Sequence, residues 1–412
     1  MLALSPLGRV AFLPLALLLG GLAPAPVHAG EKARGERFDN TPYPAAFRAR
    51  VDRAIDLGAH WLLRTQRDDG SWNCPRNDSY PLGPTALATL AALKSGVPGD
   101  HPRIERAFEF MRAQPLKKTY SVALLLMALD ARYEPAPETF ATEPLDRYGN
   151  RITETPCKAG MTRTDLAWMK KAVRFLVDTQ RRGYWRYPEG EFDLSNTQYA
   201  MLGLKAAQRC GVKVPAKVWL DALVFLLDYQ RKEGKEVMVR VNEVRGDERI
   251  EFPEKARARG FSYGPGGPLT GSMGTAGLAC LLICQSELWK SRHFSKKLRK
   301  RTREGVRDGF AWLQANYSVH RNPGAGRKSY YYYMYGLERA CILGHARFVG
   351  SHDWYAEGAE ALLAEQAEDG SWGGVLVDTC FALLFLKRAS FRVGNPAITP
   401  ITPSAAPPQA GD

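Results

Sequence analysis

The sequence predicts an all-α protein whose helices form an (α/α)6 toroid, a closed ring of six helix pairs in two concentric layers. A short apolar motif recurs six times over the 412 residues, at intervals of about fifty residues. Two of the intervals are longer because they contain insertions. The closing residues of the motif are Gln66, Gln114, Gln180, Gln230, Tyr317 and Gln366. Two kinds of predicted helix alternate around the motif, with glycine or proline between them. Units repeated in this way are stable only when they stack on their neighbours, so the repeats predict one large domain.

The segment before each closing residue has the pattern of a helix with one buried face. In the first repeat Val51, Ile55 and Leu62 lie on one stripe. The segment after each closing residue is apolar nearly all round, at residues 86–93, 122–129, 199–207, 275–284, 331–343 and 379–386. A helix without a polar face must be covered on every side. We therefore expect the apolar helices to form the inner ring and the amphipathic helices the outer ring.

Other segments flank or interrupt the toroid, which is predicted to span residues 49–390. Residues 1–29 have the pattern of a secretory signal, with Arg9, an apolar run and a cleavage site that ends at Ala29. The protein is therefore predicted to be exported, periplasmic or secreted, with residues 30–48 as a linker; an uncleaved membrane anchor is the alternative. Insertions are expected at 133–163 and 232–261, the second with a β-hairpin of residues 237–241 and 250–252. The Pro/Ala-rich tail, 391–412, is expected to be disordered.

The chain has a net charge of +14, and its densest basic stretch runs from Lys290 to Arg307. This stretch fits either a solvated helix face or a peripheral contact with anionic membrane lipids. Export and the lack of a recognition motif argue against nucleic acid as a partner.

Cysteine usage predicts no metal site and no cofactor. Seven cysteines leave at least one thiol unpaired, and Cys74 and Cys157, which lie in predicted loops, are the candidates for a disulfide. The other five cysteines lie in apolar helical runs, where a thiol acts as a small hydrophobic group.

Three loops that follow closing glutamines share a motif. Residues 66–72 and 366–372 both read Q-x-x-D-G-S-W, and residues 180–185 form a shortened copy. The motif resembles the QW motif of squalene-hopene cyclases, whose superfamily includes the β subunits of protein prenyltransferases. The resemblance covers residues 50–387 and implies the same toroid. It also implies a structural role, joining neighbouring repeats, for Gln66, Trp72, Gln180, Trp185, Gln366 and Trp372.

The resemblance to the cyclases implies a D-x-D-D-T-A motif at the start of an inner helix, where the middle aspartate protonates the substrate. The best match is at 193–198: Asp193 and Thr197 are kept, while Ser195 and Asn196 replace the acid and its neighbour. A serine hydroxyl cannot protonate an alkene, whereas serine and asparagine are good helix N-caps. The match therefore predicts a site without the usual acid and leaves Asp193 as a catalytic candidate.

Asp378 is the second catalytic candidate, because Asp378-Thr379-Cys380 is predicted to begin the last inner helix. The helix dipole there lowers the pKa of a carboxyl group, which favours capping over acid catalysis. Asp378 and Cys380 also have the D-x-C form of two zinc ligands of the prenyltransferases, but no histidine follows them at an inner-helix position.

The N-termini of the inner helices, with their partial positive charge, would suit the anionic head of a ligand, such as a diphosphate. The candidate ligand-binding residues on this rim are Thr85, Ser195, Asn196, Thr197, Thr275 and Thr379. Tyr332 and Tyr333 are candidates to line the central cavity, since only one or two tyrosines of the run 330–335 can face it. Packing between the two rings is the alternative for these tyrosines.

Three functions remain open from the sequence. The first is binding of an isoprenoid or another hydrophobic small molecule in the central cavity without the usual acid. The second is an active isoprenoid-converting enzyme that uses Asp193 or Asp378, and the third is a non-catalytic scaffold for protein or membrane partners. Glu189, Glu191 and Asp193 also leave a sugar site open, since glycoside hydrolases use paired carboxylates.

Overall fold

The computed structural model describes residues 43–74, 80–134, 160–187, 191–245, 248–388 and 399–400. These residues form twelve α-helices and three β-strands. The helices are α1 Ala45–Thr65, α2 Leu82–Lys94, α3 Pro102–Arg112, α4 Thr119–Arg132, α5 Arg163–Thr179, α6 Leu194–Arg209, α7 Ala216–Tyr229, α8 Gly271–Leu288, α9 Lys296–Ala315, α10 Tyr330–Leu343, α11 Trp354–Leu363 and α12 Leu376–Leu386. The strands are β1 Glu236–Arg245, β2 Glu248–Arg257 and β3 Thr399–Pro400.

The even-numbered helices form a closed inner ring. Each packs against the next one in the order α2, α4, α6, α8, α10 and α12, and α12 packs against α2. The odd-numbered helices lie outside this ring, and α1 contacts α11 and α12, so the first and last repeats meet. The all-α fold of six helix pairs in two concentric rings is therefore confirmed.

The helices of the two rings differ in burial, as their apolar patterns predict. In α8 every residue from Gly271 to Gln285 is buried, whereas α1 buries only a stripe that includes Val51, Ile55 and Leu62. The inner helices also approach one another closely: a Cβ on Gly203 of α6 would lie 2.8 Å from the Cα of Ala123 in α4. The inner ring is consequently the core of the protein.

The inner helices begin before their apolar runs. Helix α8 starts at Gly271, where the side chain of Thr270 accepts a hydrogen bond from the Met273 amide at 3.3 Å. Helix α6 starts at Leu194, with Asp193 as its N-cap. The apolar runs begin later than these helices because the first turns of α6 and α8 contain small or polar residues that interrupt the apolar pattern.

The second insertion contains the expected hairpin, with longer strands than predicted. Strands β1 and β2 are antiparallel, and Val241 pairs with Phe252. Strand β3 pairs with β1 on its other side, opposite Val241 and Asn242. Residues 399–400 of the tail pair with the free edge of β1, while the rest of the tail predicted to be disordered lies outside the described residues.

Several predictions fall on residues outside the described ranges. They include the signal segment, the linker up to residue 42, most of the first insertion, and Cys157. Cys74 is described, and it is buried instead of lying in an exposed loop. No helix within the described ranges is both long enough and apolar enough to span a membrane.

Candidate functional site

Four of the closing glutamines join an outer helix to the next one, whereas Gln114 donates to the carbonyl of Phe110 in its own helix. Gln66, after α1, donates a hydrogen bond to the carbonyl of Arg103 in α3 at 2.8 Å. Gln366, after α11, donates in the same way to the carbonyl of Ala54 in α1 at 2.8 Å. Equivalent bonds run from Gln180 to α7 and from Gln230 to α9. The glutamine side chains thus connect neighbouring repeats and contribute to the closure of the ring.

The tryptophans of the three QW-like loops bind back to their own outer helices. The indole N–H groups of Trp72, Trp185 and Trp372 donate to the carbonyls of Leu62, Leu176 and Leu362 at 2.8, 2.7 and 2.9 Å. Each carbonyl belongs to the last turn of a helix, where no further backbone N–H of the helix is available to bind it. The three indoles are buried.

Asp193 caps helix α6 and is buried. One of its carboxylate oxygens accepts from the Asn196 amide and the other from the Asn196 side chain, both at 2.7 Å. Capping thus belongs to Asp193, not to Ser195 or Asn196, because Asp193 is the residue that precedes the first helical turn. Burial raises the pKa of Asp193, and the hydrogen bonds from Asn196 oppose that rise.

Four of the predicted rim residues are threonines, and all four are fully buried one turn inside their helices: Thr85, Thr197, Thr275 and Thr379. The hydroxyls of Thr197 and Thr379 accept from the amides of Trp185 and Trp372, and the Thr275 hydroxyl donates to backbone carbonyls of α8. The structure therefore does not place them on an accessible rim. These positions lie one turn inside their helices, where neighbouring helices and loops cover them; Thr275, for example, lies against Gly336 of α10.

Asp378 lies in the first turn of α12, while the N-cap position is occupied by Val375. Its neighbour Cys380 is buried, and burial raises the pKa of that thiol. Across the described part of the chain, no group of three or more His, Cys, Asp and Glu side chains is arranged to hold a metal ion. The D-x-C pair is thus not part of such a cluster there. Of the sugar-site candidates, Glu189 lies outside the described residues.

Tyr332 crosses the interior of the ring. Its hydroxyl donates to the side-chain oxygen of Gln198 at 2.9 Å and lies 2.8 Å from the Ser195 hydroxyl, both on α6. Helices α10 and α6 are not neighbours in the ring, so these contacts pass across its axis. Tyr333 instead points to the outer layer, where its hydroxyl donates to the carbonyl of Ser318.

Aromatic rings are stacked around Tyr332 at the axis. Tyr199 of α6 packs between Tyr120 of α4 and Tyr332, with centroid distances of 3.9 and 6.1 Å. Phe381 of α12 contacts Tyr332 at 5.5 Å and Tyr335 at 5.8 Å. Tyr120, Tyr332 and Ser195 are partly exposed, whereas Tyr199 is fully buried. This axial cluster therefore runs from an accessible end of the toroid into its centre.

Arg339 of α10 lies beneath the axial cluster and is fully buried. Its guanidinium carbon is 4.0 Å from the centroid of Tyr335 and 5.5 Å from that of Tyr199 across the axis. Arg339 was not predicted from the sequence. The available signal was a pair of charged residues, Glu338 and Arg339, in a helix that is otherwise without charge and is buried on nearly every face.

Exposed apolar side chains surround the accessible end. Tyr80, Tyr187, Tyr263 and Val375 are 43%, 44%, 50% and 46% exposed, and each lies in the loop before an inner helix. Lys118, before α4, has its ammonium group 4.3 Å from the centroid of the Tyr80 ring. This end of the toroid, at the N-termini of the inner helices, therefore presents an aromatic rim.

The basic stretch forms much of α9 and is partly neutralised. Arg301 pairs with Asp228 at 2.7 Å, and Arg307 pairs with Asp308 at 2.9 Å and also with Glu254. Lys296, Lys297 and Arg303 are exposed.

The chain is similar in structure to a solved terpene cyclase. No protein-family model matches the chain, and no curated protein matches it significantly. Among solved structures, the chain is similar to the type II terpene cyclase MstE from Scytonema, determined in complex with its product merosterolic acid A. The two are 11% identical, the TM-score is 0.42, and the match covers 84% of this chain and 98% of that one.

Proposed function

We propose that the protein binds an isoprenoid or another hydrophobic small molecule at the axis of the toroid. The observation that carries this proposal is the axial cluster of Tyr120, Tyr199, Tyr332 and Phe381, which leads inward from an exposed aromatic rim. Flat aromatic side chains give a large apolar contact area, and most small-molecule sites are concave and apolar with a few polar groups. The ligand would enter at the rim and displace the Tyr332 side chain.

Binding without cyclisation fits the first turn of α6. Ser195 and Asn196 stand where a class II cyclase has its acids, and the carboxylate of Asp193 is occupied by two hydrogen bonds from Asn196. The proposal therefore gives the axial site a binding role, and incubation of the purified protein with squalene should give no cyclic product by mass spectrometry.

An active enzyme is the second candidate, and one observation favours it. Burial raises the pKa of Asp193, and a carboxyl group that keeps its proton is better suited to general-acid catalysis. Cyclic product from the wild-type protein, lost in Asp193→Asn, would support this candidate over simple binding.

The binding proposal is tested by titration with farnesol, followed by tyrosine and tryptophan fluorescence. Tyr332→Trp adds bulk at the axis and should weaken binding about tenfold or more. Tyr331→Trp is the matched control, since Tyr331 is also partly exposed but its hydroxyl donates to Glu365, away from the axis. Equal affinity of the two variants would place the ligand elsewhere, and no binding by the wild type would favour the scaffold function.

We also propose that the protein is exported. The signal pattern of residues 1–29 supports this, and N-terminal sequencing of the mature protein should begin at or near Gly30. The exposed cations Lys296, Lys297 and Arg303 support a weak, salt-sensitive contact with anionic lipid. Co-sedimentation with vesicles that contain anionic lipid, at low and high salt, tests that contact.

A further inference from the structure

Arg339 is a buried cation without a carboxylate partner. None of its three guanidinium nitrogens makes a hydrogen bond of good geometry within the described residues, and no carboxylate there forms an ion pair with it; its nearest polar neighbours are the hydroxyls of Tyr199 and Tyr335. Arginine keeps its proton in proteins, so it cannot avoid the cost of burial by becoming neutral. A buried charge is normally tolerated only when it is paired and hydrogen-bonded.

Other buried or half-buried cations of the inner ring each face a carboxylate. Lys94 of α2 pairs with Glu134 at 2.7 Å, Arg209 lies 3.3 Å from Asp130, and Lys205 of α6 pairs with Glu287. All three lie near the C-terminal ends of their helices. Arg339 differs from them because its surroundings are tyrosines, which offer π faces but no counter-charge.

The tyrosines around Arg339 cannot supply that counter-charge at neutral pH. Burial raises the pKa of Tyr120, Tyr199, Tyr332 and Tyr335 above the usual range, so all four stay protonated. Three further side-chain atoms of this region make no hydrogen bond of good geometry within the described residues: the Tyr199 hydroxyl, the Gln198 nitrogen and the Asn196 oxygen. The first two can donate and only the third is purely an acceptor, so together with the guanidinium of Arg339 the donors outnumber the acceptors.

We infer that the ligand of the toroid carries a single carboxylate, which Arg339 binds together with the hydroxyl of Tyr199. The guanidinium fork matches the geometry of a carboxylate, and one positive charge balances one negative charge. A diphosphate would bring more negative charge than the axis can balance. The head group would therefore lie deep in the ring, while the apolar tail would extend past Tyr332 and Phe381 towards the rim.

This inference rests on the proposed function. Three probes that share one apolar tail and differ in the head group test the inference and the proposed function separately. The probes are farnesoic acid, farnesol and farnesyl diphosphate, titrated into the full-length protein and followed by fluorescence. The wild type should bind farnesoic acid about tenfold or more tightly than farnesol, and Arg339→Met should remove this preference while farnesol still binds. Arg327→Met is the matched control, because Arg327 stacks on Tyr330 at 4.0 Å but lies at the surface.

Each outcome decides a separate point. Equal affinity of the wild type for the acid and the alcohol would overturn the carboxylate inference and leave the proposed function standing, whereas no binding of any probe would overturn both. A preference for the diphosphate that Arg339→Met removes would overturn the single-charge assignment. If Arg339→Met does not fold, Tyr199→Phe, which removes only the hydroxyl, should still narrow the preference for the acid severalfold. An unchanged preference in Tyr199→Phe would contradict the role given to that hydroxyl.

Discussion

The tryptophans of the three QW-like loops have the same structural role. Each indole N–H donates a hydrogen bond to a carbonyl in the last turn of its outer helix. Replacement of Trp372 by alanine should lower the free energy of unfolding by about 3–5 kcal/mol, the usual cost of truncating a buried aromatic side chain. Trp372→Phe keeps an aromatic ring and loses the N–H group, so it should lower the free energy of unfolding by less than Trp372→Ala does. Urea denaturation of both variants measures the difference, and unchanged stability of Trp372→Ala would mean that the indole is not part of the core.

Arg339 should destabilise the protein when no ligand is bound. Arg339→Met removes an unpaired buried charge and keeps an apolar stem, so the ligand-free variant should unfold at a higher urea concentration than the wild type. Lys205→Met is the contrasting variant, since it leaves Glu287 buried without its ammonium partner and should cost about 3–5 kcal/mol. A ligand-free Arg339→Met protein that is clearly less stable would show that the cation is satisfied within the fold.

Asp193 should make stability depend on pH. Because burial raises its pKa in the folded state, its contribution to stability is fully present below the unfolded value, about 3.9, and is lost as pH rises through the folded value. Asp193→Asn cannot ionise and can still cap α6. The wild type should therefore lose stability relative to Asp193→Asn as pH rises from about 3 towards 7, measured by urea denaturation. A difference that stays constant with pH would contradict the shifted pKa.

At the same scale, the sequence located part of the site and missed its central charge. Tyr332 reaches the axis, and Asp193 starts an inner helix, as predicted. The rim threonines are buried because they lie one turn inside their helices, where neighbouring helices and loops cover them. Arg339 was missed because its lack of a counter-charge depends on which helices lie across the ring, and that arrangement is not visible along the chain.

At the scale of elements, glycine lets each QW-like loop contact the next outer helix. Gly370 has φ of +87°, and a Cβ there would collide with the carbonyl oxygen of Leu57 in α1. Gly373 also has a positive φ, +64°, but no atom lies within 4 Å of the position of its Cβ. Gly373→Ala should thus lower the free energy of unfolding only by the backbone strain, about 1 kcal/mol. Gly370→Ala should lower it considerably more, because the new Cβ would also collide with α1. Equal melting temperatures of the two variants would argue against a tight contact between α11 and α1.

The elements themselves followed largely from local patterns. The two kinds of helix were predicted from the sequence because each has its own pattern of apolar residues. A helix buried on one face has an apolar stripe, and a helix buried on all faces is apolar all round. The β1–β2 hairpin was predicted in outline for the same reason, with Val241 and Phe252 as a pair. Strand β3 was not predicted, because its partner β1 lies about 150 residues earlier in the chain and only the folded arrangement brings the two together.

At the scale of the whole molecule, the joint between the last and first repeats resembles the interior joints. Gln366 binds α1 as Gln66 binds α3, and Gly370 lies against α1 as Gly70 lies against α3. The two ends of the toroid are also adjacent, since the guanidinium of Arg388 is 5.9 Å from the centroid of the Tyr43 ring. Open repeat arrays need specialised terminal repeats, but a ring whose closing joint repeats the bonds of an interior joint does not.

We therefore expect the toroid to fold when the chain begins and ends at a different loop of the ring. A circular permutant that links Arg388 to Tyr43 through a short glycine-serine segment, and opens the chain in the turn between α6 and α7, should keep the same helix content. It should also unfold in a single transition, close to the midpoint of the original protein. A permutant that stays unfolded would show that the order of synthesis, and not only the set of joints, is needed to complete the ring.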